Sequence, residues 1–521
     1  MRSPRLAVSL CCAAVLLAAC GDGINDGVTA TKSASRTDPA TQGTDGGTTD
    51  VPSSTPPGTD ATTKPGGDPF GWKNVVSNGV VQKGRLKVPI DYKDPSKGTF
   101  TLYVTRHKAT DKAKRIGTLL VNPGGPGFGG SQLALQADQI YGKSILAGFD
   151  IVAWDPRGTG LSTPAIDCVS DYDKYFASTD ITPDADAERQ KVIDLAKEFE
   201  TDCATKNAKI LQYIGTNNSA RDMDSIRAAL GEAKISYFGF SYGSELGATW
   251  ATLFPSTVRA AVLDGASDPT ADFLTSGLQQ SKGFEDALTN LLKKCSADTE
   301  CAFNNNGNSE KAFDALMLAI DAKPIPSESG RPDVTRGVAL TGIGEAMYSQ
   351  SRWSELEQAL ADAQRGKGAG LLALYDSYYQ RQADGSYDNS LEAFQTISCM
   401  DRPERPTVAE EDANAAKYIA IAPRFAPGTT GNYFCTFYPA TQDPEVTITG
   451  KGAGPILVVG TTGDPATPLS SSENMTKALE QGVLLVVDAD QHTGYSVNDC
   501  SQKAVDNYLI TQKPPAVGTR C

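Results

Sequence analysis

The alternation of apolar and polar positions divides the chain into readable pieces. Gly98–His107 alternates, with Phe100, Leu102 and Val104 on one face, which is the period-two pattern of a half-buried strand. Ile116–Val121 and Ile235–Phe240 are short, largely apolar runs, as expected of strands buried on both faces of a parallel sheet, and Phe149–Trp154 and Val258–Leu263 read as two further strands. Residues 219–230 read as a helix opened by a capping box of Ser219 and Asp222. A small-residue helical pattern runs from about Gly243 to Phe254. From Ala266 to Pro439 strand signals become scarce and helical periods take over, as in Ser281–Lys294, Ser309–Ala322 and Trp353–Gln364. Strand runs return at Pro455–Val459 and Val483–Val487. The pattern predicts an α/β fold, a mostly parallel sheet with helices on both faces and an inserted helical cap domain. The expected divisions are 69–265 for the first part of the core, 266–439 for the cap and 440–521 for the second part.

The N-terminus has a different character. Arg2 and Arg5 precede an apolar stretch, Leu6–Ala19, which ends in Leu17-Ala18-Ala19-Cys20. Residues 1–20 therefore read as a lipoprotein-type signal peptide, with Cys20 as the acylated residue. The alternative is an ordinary signal peptide cut after a small-x-small site. Cys20 falls where the apolar stretch meets a polar one, which favours lipidation. Either leader predicts export, and a lipid on Cys20 would tether the protein without making it span. Residues 21–68 contain Ile24, Val28 and Val51 as their only large aliphatics and no aromatic. Such a segment cannot bury enough apolar surface to offset its chain entropy and is expected to be a disordered linker.

Composition narrows the function. The 521 residues suffice for a large core, and 62 acidic against 48 basic residues give a formal charge of −14. That balance disfavours nucleic acid and anionic membrane surfaces as partners. No apolar run after residue 20 is long enough to cross a bilayer. Of eleven cysteines, Cys11, Cys12 and Cys20 lie in the leader, leaving an even set for disulfides in an exported chain. Spacing suggests the local pairs Cys168–Cys203, Cys295–Cys301, Cys399–Cys435 and Cys500–Cys521. With no C-x-x-C pair and little histidine, a zinc site is not expected.

Chemistry concentrates where strands end. Ile235–Phe240 runs into Gly239-Phe240-Ser241-Tyr242-Gly243, the chain's single G-x-S-x-G, and a helix follows. Strand, sharp turn and helix is the setting of a nucleophile elbow, with glycines two residues to either side so that the Ser241 hydroxyl stands clear. A glycine-rich turn that merely contains a serine would look the same over five residues, so the remaining features decide. Ile116–Val121 leads into Asn122-Pro123-Gly124-Gly125-Pro126-Gly127, a loop whose N–H groups can point into space as an oxyanion hole requires. A phosphate loop would need a following G-K-[ST], which is absent. The strand at Pro455 leads to Asp464 and the strand at Val483 leads to His492. The order Ser241, Asp464, His492 is that of an α/β-hydrolase triad. Histidine number sharpens this, because the chain has two. His107 lies between Arg106 and Lys108 on what reads as a solvated rim, which leaves His492 as the base. Asp264 and Asp268, after the strand that follows the elbow helix, are the alternative acids, whereas Asp488 and Asp490 stand too close to His492 in sequence.

These features together resemble the exported actinobacterial tripeptidyl aminopeptidases, α/β-hydrolase-fold serine exopeptidases related to prolyl aminopeptidase. The matching stretches are the Asn-Pro-Gly-Gly-Pro-Gly loop, Trp154-Asp155-Pro156-Arg157-Gly158-Thr159-Gly160, the elbow, Leu263-Asp264-Gly265, Ile397-Ser398-Cys399-Met400-Asp401, Gly463-Asp464-Pro465 with Thr467-Pro468, and His492. The resemblance implies Ser241 as nucleophile, His492 as base, Asp464 as orienting acid, and the backbone N–H groups of Gly125 and Tyr242 as the oxyanion hole. It implies peptide or protein N-termini as substrates and no metal or organic cofactor. One departure is Thr493, where the family usually carries glycine after its histidine. The family also includes lipid esterases, so a carboxylesterase or lipase is the competing activity, and a non-catalytic ligand-binding surface lipoprotein is a third reading. An aminopeptidase needs a carboxylate for the substrate's α-ammonium. The insertion offers Glu345, Glu355, Glu357 and Asp401 without distinguishing among them.

Overall fold

A computed structural model describes residues 67–521 apart from 176 and 432. The leader, Cys20 and nearly all of the linker lie outside the described residues. The strands are β1 (Lys73–Asn74), β2 (Val81–Pro89), β3 (Thr99–His107), β4 (Gly117–Asn122), β5 (Phe149–Trp154), β6 (Ile235–Phe240), β7 (Val258–Asp264), β8 (Ile456–Thr461) and β9 (Gly482–Val487). They form one nine-stranded sheet in the order β1-β2-β3-β5-β4-β6-β7-β8-β9. The first three strands and the β3–β5 contact are antiparallel, and every pairing from β5 to β9 is parallel.

Burial follows that division. β4, β6 and β8 are buried at every position, as strands covered on both faces must be. β2 alternates buried Gly84, Leu86 and Val88 with exposed Lys83, Arg85 and Lys87. Successive residues of each central strand serve opposite cores. Leu119, Val121, Phe238, Val262 and Val459 pack with the helix Asp499–Thr511 on one face. Leu120, Tyr237, Leu263 and Val458 pack with the helices Thr216–Ala229 and Tyr242–Leu253 on the other.

Between β7 and β8 the described residues form helices, beginning with Phe273–Ala297 and ending with Val408–Ile421. Leu288, Phe313, Val338, Leu356 and Leu371 of these helices belong to a core of their own, whereas Ala393, Ile397 and Met400 of the helix Ser390–Asp401 pack into the sheet core of Leu120 and Tyr237. The cysteines join in the four local pairs, Cys168–Cys203, Cys295–Cys301, Cys399–Cys435 and Cys500–Cys521.

Two expectations are corrected here. The helix read at 219–230 begins at Thr216, so Ser219 and Asp222 lie within it, buried. Its first N–H, on Thr216, donates to Asp401 Oδ1 at 2.6 Å, a cap supplied from far along the chain. Asp222 instead accepts two bonds from the buried Arg157 guanidinium, at 2.8 and 2.5 Å. His107 is not on a solvated rim. It is 1% exposed, because β5 pairs beside it and Asp138 comes within 3.4 Å of Nε2.

Candidate active site

The register brings the strand ends to one edge of the sheet. Asn122 pairs with Gly239, Phe240 with Asp264, and Asp264 with Val459. β4 and β6 flank the point where strand order reverses, the position at which open α/β sheets bind ligands outside their carboxyl ends. The loops after β4, β6, β8 and β9 carry the glycine loop, Ser241, Asp464 and His492.

Ser241 sits at φ 55° and ψ −126°, a conformation that non-glycine residues rarely adopt. Its N–H donates to the Asp264 carbonyl at 2.8 Å and its carbonyl accepts from Ser244 at 2.7 Å, which hold the turn. A Cβ at Gly239 would fall 2.2 Å from the Gly243 carbonyl oxygen, and one at Gly243 would fall 2.9 Å from the Asn122 carbonyl oxygen. The elbow therefore closes only with glycine at both positions. The glycine loop lies against it, because a Cβ on Gly124 would meet the Phe240 carbonyl oxygen at 2.5 Å. Asn122 Oδ1 accepts the Gly124 N–H at 2.9 Å. Gly125 and Tyr242 border the same cavity as Ser241. Tyr242 opens its helix, so its N–H has no intrahelical acceptor.

His492 is 4% exposed and Asp464 is 3% exposed. Both Asp464 oxygens stand 2.9 Å from His492 Nδ1. Asp464 Oδ1 also accepts the N–H groups of Ala466 at 3.0 Å and Thr467 at 2.8 Å, while Oδ2 accepts the Thr467 hydroxyl at 3.1 Å. Nε2 of His492 is buried and has no hydrogen-bond partner among the described residues, so no bond to Ser241 Oγ is formed in this structure. The imidazole packs over Gly265, where a Cβ would come 2.9 Å from its Cε1. The helical insertion also holds the histidine. The Tyr348 carbonyl accepts the His492 N–H at 3.0 Å, and the two rings meet edge to face at 5.5 Å.

Asp264 does not face the imidazole's Nδ1. Its oxygens accept the N–H groups of Gly494 and Tyr495 at 2.7 and 2.9 Å, and burial pushes its carboxyl up to about 7. Asp268 is occupied by Thr270, Gln279 and Asn474. Asp488 pairs with Arg520, and Asp490 pairs with Lys294.

A cavity of about 490 Å³ opens over Ser241. Its floor includes Gly125 and Tyr242, and the insertion supplies an aromatic wall with Phe273, Tyr348, Phe394 and Phe434. Of the four insertion acids singled out from sequence, only Asp401 borders it. Glu345 and Glu355 both pair with Arg352, and Glu357 lies beside the Cys295–Cys301 disulfide. Those two sulfurs are bonded to each other and offer no thiolate to a metal.

Sequence reasoning missed two acids in the cavity wall, Glu245 and Glu411. Glu245 accepts from Ser267 and lies 3.7 Å from Arg402. In the run Glu410-Glu411-Asp412, Glu410 caps its helix through Thr407 and Asp412 pairs with Arg189. The Glu411 carboxylate has no hydrogen-bond or ion-pair partner among the described residues, and burial raises it to about 7.

The sheet order, the strained serine turn and the serine-bearing cavity define a class, and the α/β-hydrolase fold family matches residues 117–499, so the chain belongs to that family. It is 37% identical over 461 residues to "Serine protease Hip1" of Mycobacterium tuberculosis, covering 84% of this chain and 86% of that one. It is 34% identical over 454 residues to "Carboxylesterase B" of the same species, covering 84% and 85%. To "Tripeptidyl aminopeptidase" of Streptomyces lividans it is 29% identical over 458 residues, covering 85% and 83%. The protein is thus a serine hydrolase of the family to which these relatives belong.

Proposed function

We propose that this serine hydrolase is an exported aminopeptidase that releases short peptides, chiefly tripeptides, from free N-termini through an acyl-enzyme on Ser241. In this reading His492 Nε2 takes the Ser241 proton as Oγ attacks the scissile carbonyl. Asp464 holds the proton on Nδ1 and stabilises the imidazolium. The N–H groups of Gly125 and Tyr242 receive the developing oxyanion, where losing one donor costs about 3–4 kcal/mol. The imidazolium then returns its proton to the leaving amine. Water, deprotonated by the same histidine, cleaves the ester and frees the peptide. No cofactor enters these steps.

The observation that carries the peptide end of this reading is Glu411, a carboxylate without a partner in the wall of the cavity that holds Ser241. A substrate α-amino group has a pKa of about 7.7–8.0 and is largely cationic at neutral pH. It is the partner a half-buried carboxylate lacks, and an N-acetylated substrate would leave that carboxylate unpaired. The helices over the sheet would close the cavity to the middle of a long chain. The names of two relatives, a serine protease and a tripeptidyl aminopeptidase, point the same way. The leader, with lipidation at Cys20, and the disulfides fit an oxidising compartment outside the cytoplasm. A carboxylesterase is the second reading, supported by the relative of that name and by the aromatic wall.

The test is a panel of tripeptide p-nitroanilides, free and N-acetylated, beside simple acyl esters. Free-amine tripeptides should be cleaved at least a hundredfold faster than their acetylated forms. Equal rates would overturn the aminopeptidase, and esters outrunning every free-amine peptide would establish the esterase.

A further inference from the structure

The chain leaves His492 through a turn that its next residue does not favour. Thr493 has φ 68°, in the left-handed region where a β-branched side chain is strained. The two N–H groups that follow, on Gly494 and Tyr495, donate one to each oxygen of Asp264, at 2.7 and 2.9 Å. Asp264 is fully buried, and those are the only side-chain hydrogen bonds it makes among the described residues. The same residue's backbone carbonyl accepts the Ser241 N–H at 2.8 Å. The next residue, Gly265, is the seat of the imidazole. One short segment at the end of β7 thus touches the nucleophile turn, the histidine ring and the strained turn behind it.

We propose that Asp264 is a positioning residue whose carboxylate clamps the strained Thr493 turn and so fixes the direction of His492 Nε2. It acts through the loop and not on the ring, because Nδ1 is already taken by Asp464. A carboxylate is the group this job needs. Two convergent N–H donors require two acceptor oxygens, and an amide offers one oxygen and sets its own NH₂ against the other donor. Without the clamp the turn would relax toward ordinary backbone angles and carry the ring off Gly265. Glycine at position 493 has no such strain, so it should tolerate loss of the clamp.

The inference rests on the Ser241–His492 reading, and the experiment separates the two. kcat and KM are measured on a free-amine tripeptide p-nitroanilide for Asp264→Asn, Thr493→Gly, the double variant and His492→Ala. Asp264→Asn should lower kcat about 10- to 100-fold with KM within about twofold, and adding Thr493→Gly should recover at least tenfold of the loss. A double variant no faster than Asp264→Asn would overturn the clamp, as would wild-type turnover in Asp264→Asn. An active His492→Ala would overturn the underlying reading and the clamp with it. Hydrogen exchange on the wild-type protein gives an answer even if Asp264→Asn fails to fold. The Gly494 and Tyr495 amides should be among the slow exchangers, and fast exchange there would refute the clamp.

Discussion

Replacing Asp464 by asparagine tests the proposed triad at its most constrained point. In the structure Oδ1 accepts from Ala466 and Thr467, and Oδ2 accepts from the Thr467 hydroxyl, while both face His492 Nδ1 at 2.9 Å. An asparagine keeps its oxygen toward the two backbone donors, because that pair of bonds fixes its orientation. Its NH₂ then takes the place of Oδ2 and meets Nδ1. An NH₂ and an Nδ1–H cannot satisfy each other, so the imidazole must accept at Nδ1 and carry its proton on Nε2. That tautomer cannot take the Ser241 proton. The loss expected from a wrong tautomer is about 10⁴-fold in kcat, which at about 1.36 kcal/mol per tenfold is roughly 5–6 kcal/mol of transition-state stabilisation. The assay is kcat on a tripeptide p-nitroanilide, with a melting curve to show that the variant is folded. KM should change little, because Asp464 acts on the histidine and not on the substrate. A loss below tenfold in a folded variant would refute the reasoning, and a larger loss in Asp264→Asn would transfer the acid's role there.

Other outcomes follow from the same geometry. His492→Ala should abolish turnover while His107→Ala, buried away from the cavity, should leave kcat intact in whatever fraction folds. Glu411→Gln should raise KM for free-amine tripeptides about tenfold or more and leave acyl esters unaffected. If esters and peptides weaken together, Glu411 does not hold the amine. Burial raises the carboxyls of Glu200, Asp264, Glu345, Asp401 and Glu411 to about 7. A raised acid binds more protons folded than unfolded between its ordinary value near 4 and 7, so stability falls as pH rises through that window. The melting temperature should therefore be several degrees higher at pH 5.5 than at pH 8, and a flat or opposite trend would mean that these groups titrate normally.

What could be read from the sequence was local. Ile235–Phe240 announces itself because a strand buried on both faces is largely apolar. The alternating pattern of β2, with Lys83, Arg85 and Lys87 outward, is equally legible in the sequence. The placement of Asp464 and His492 followed from strand ends alone, since a parallel sheet collects those ends on one edge. Partners distant in sequence were not readable. Nothing near Thr216 indicates that Asp401 will cap its helix, and nothing near Tyr348 indicates that its carbonyl will hold His492. The burial of His107 was hidden for the same reason, because its flanking Arg106 and Lys108 describe the chain's own polarity and not the strand that comes to lie beside it. The Asp264 side chain was visible as an acid at the end of a strand but not as a clamp, because its two donors lie beyond His492.

Covalent capture tests the central claim most directly. A free-amine tripeptidyl diphenyl phosphonate is incubated with the wild-type protein and with Ser241→Ala, His492→Ala and Glu411→Gln, and adducts are located by mass spectrometry of peptides. A single adduct on Ser241 is expected in the wild-type protein. It should be absent in Ser241→Ala, slowed by orders of magnitude in His492→Ala, and slowed in Glu411→Gln only for the free-amine reagent and not for its N-acetyl form. Labelling at another residue, or undiminished peptide turnover by Ser241→Ala, would contradict the assignment of Ser241 as the nucleophile.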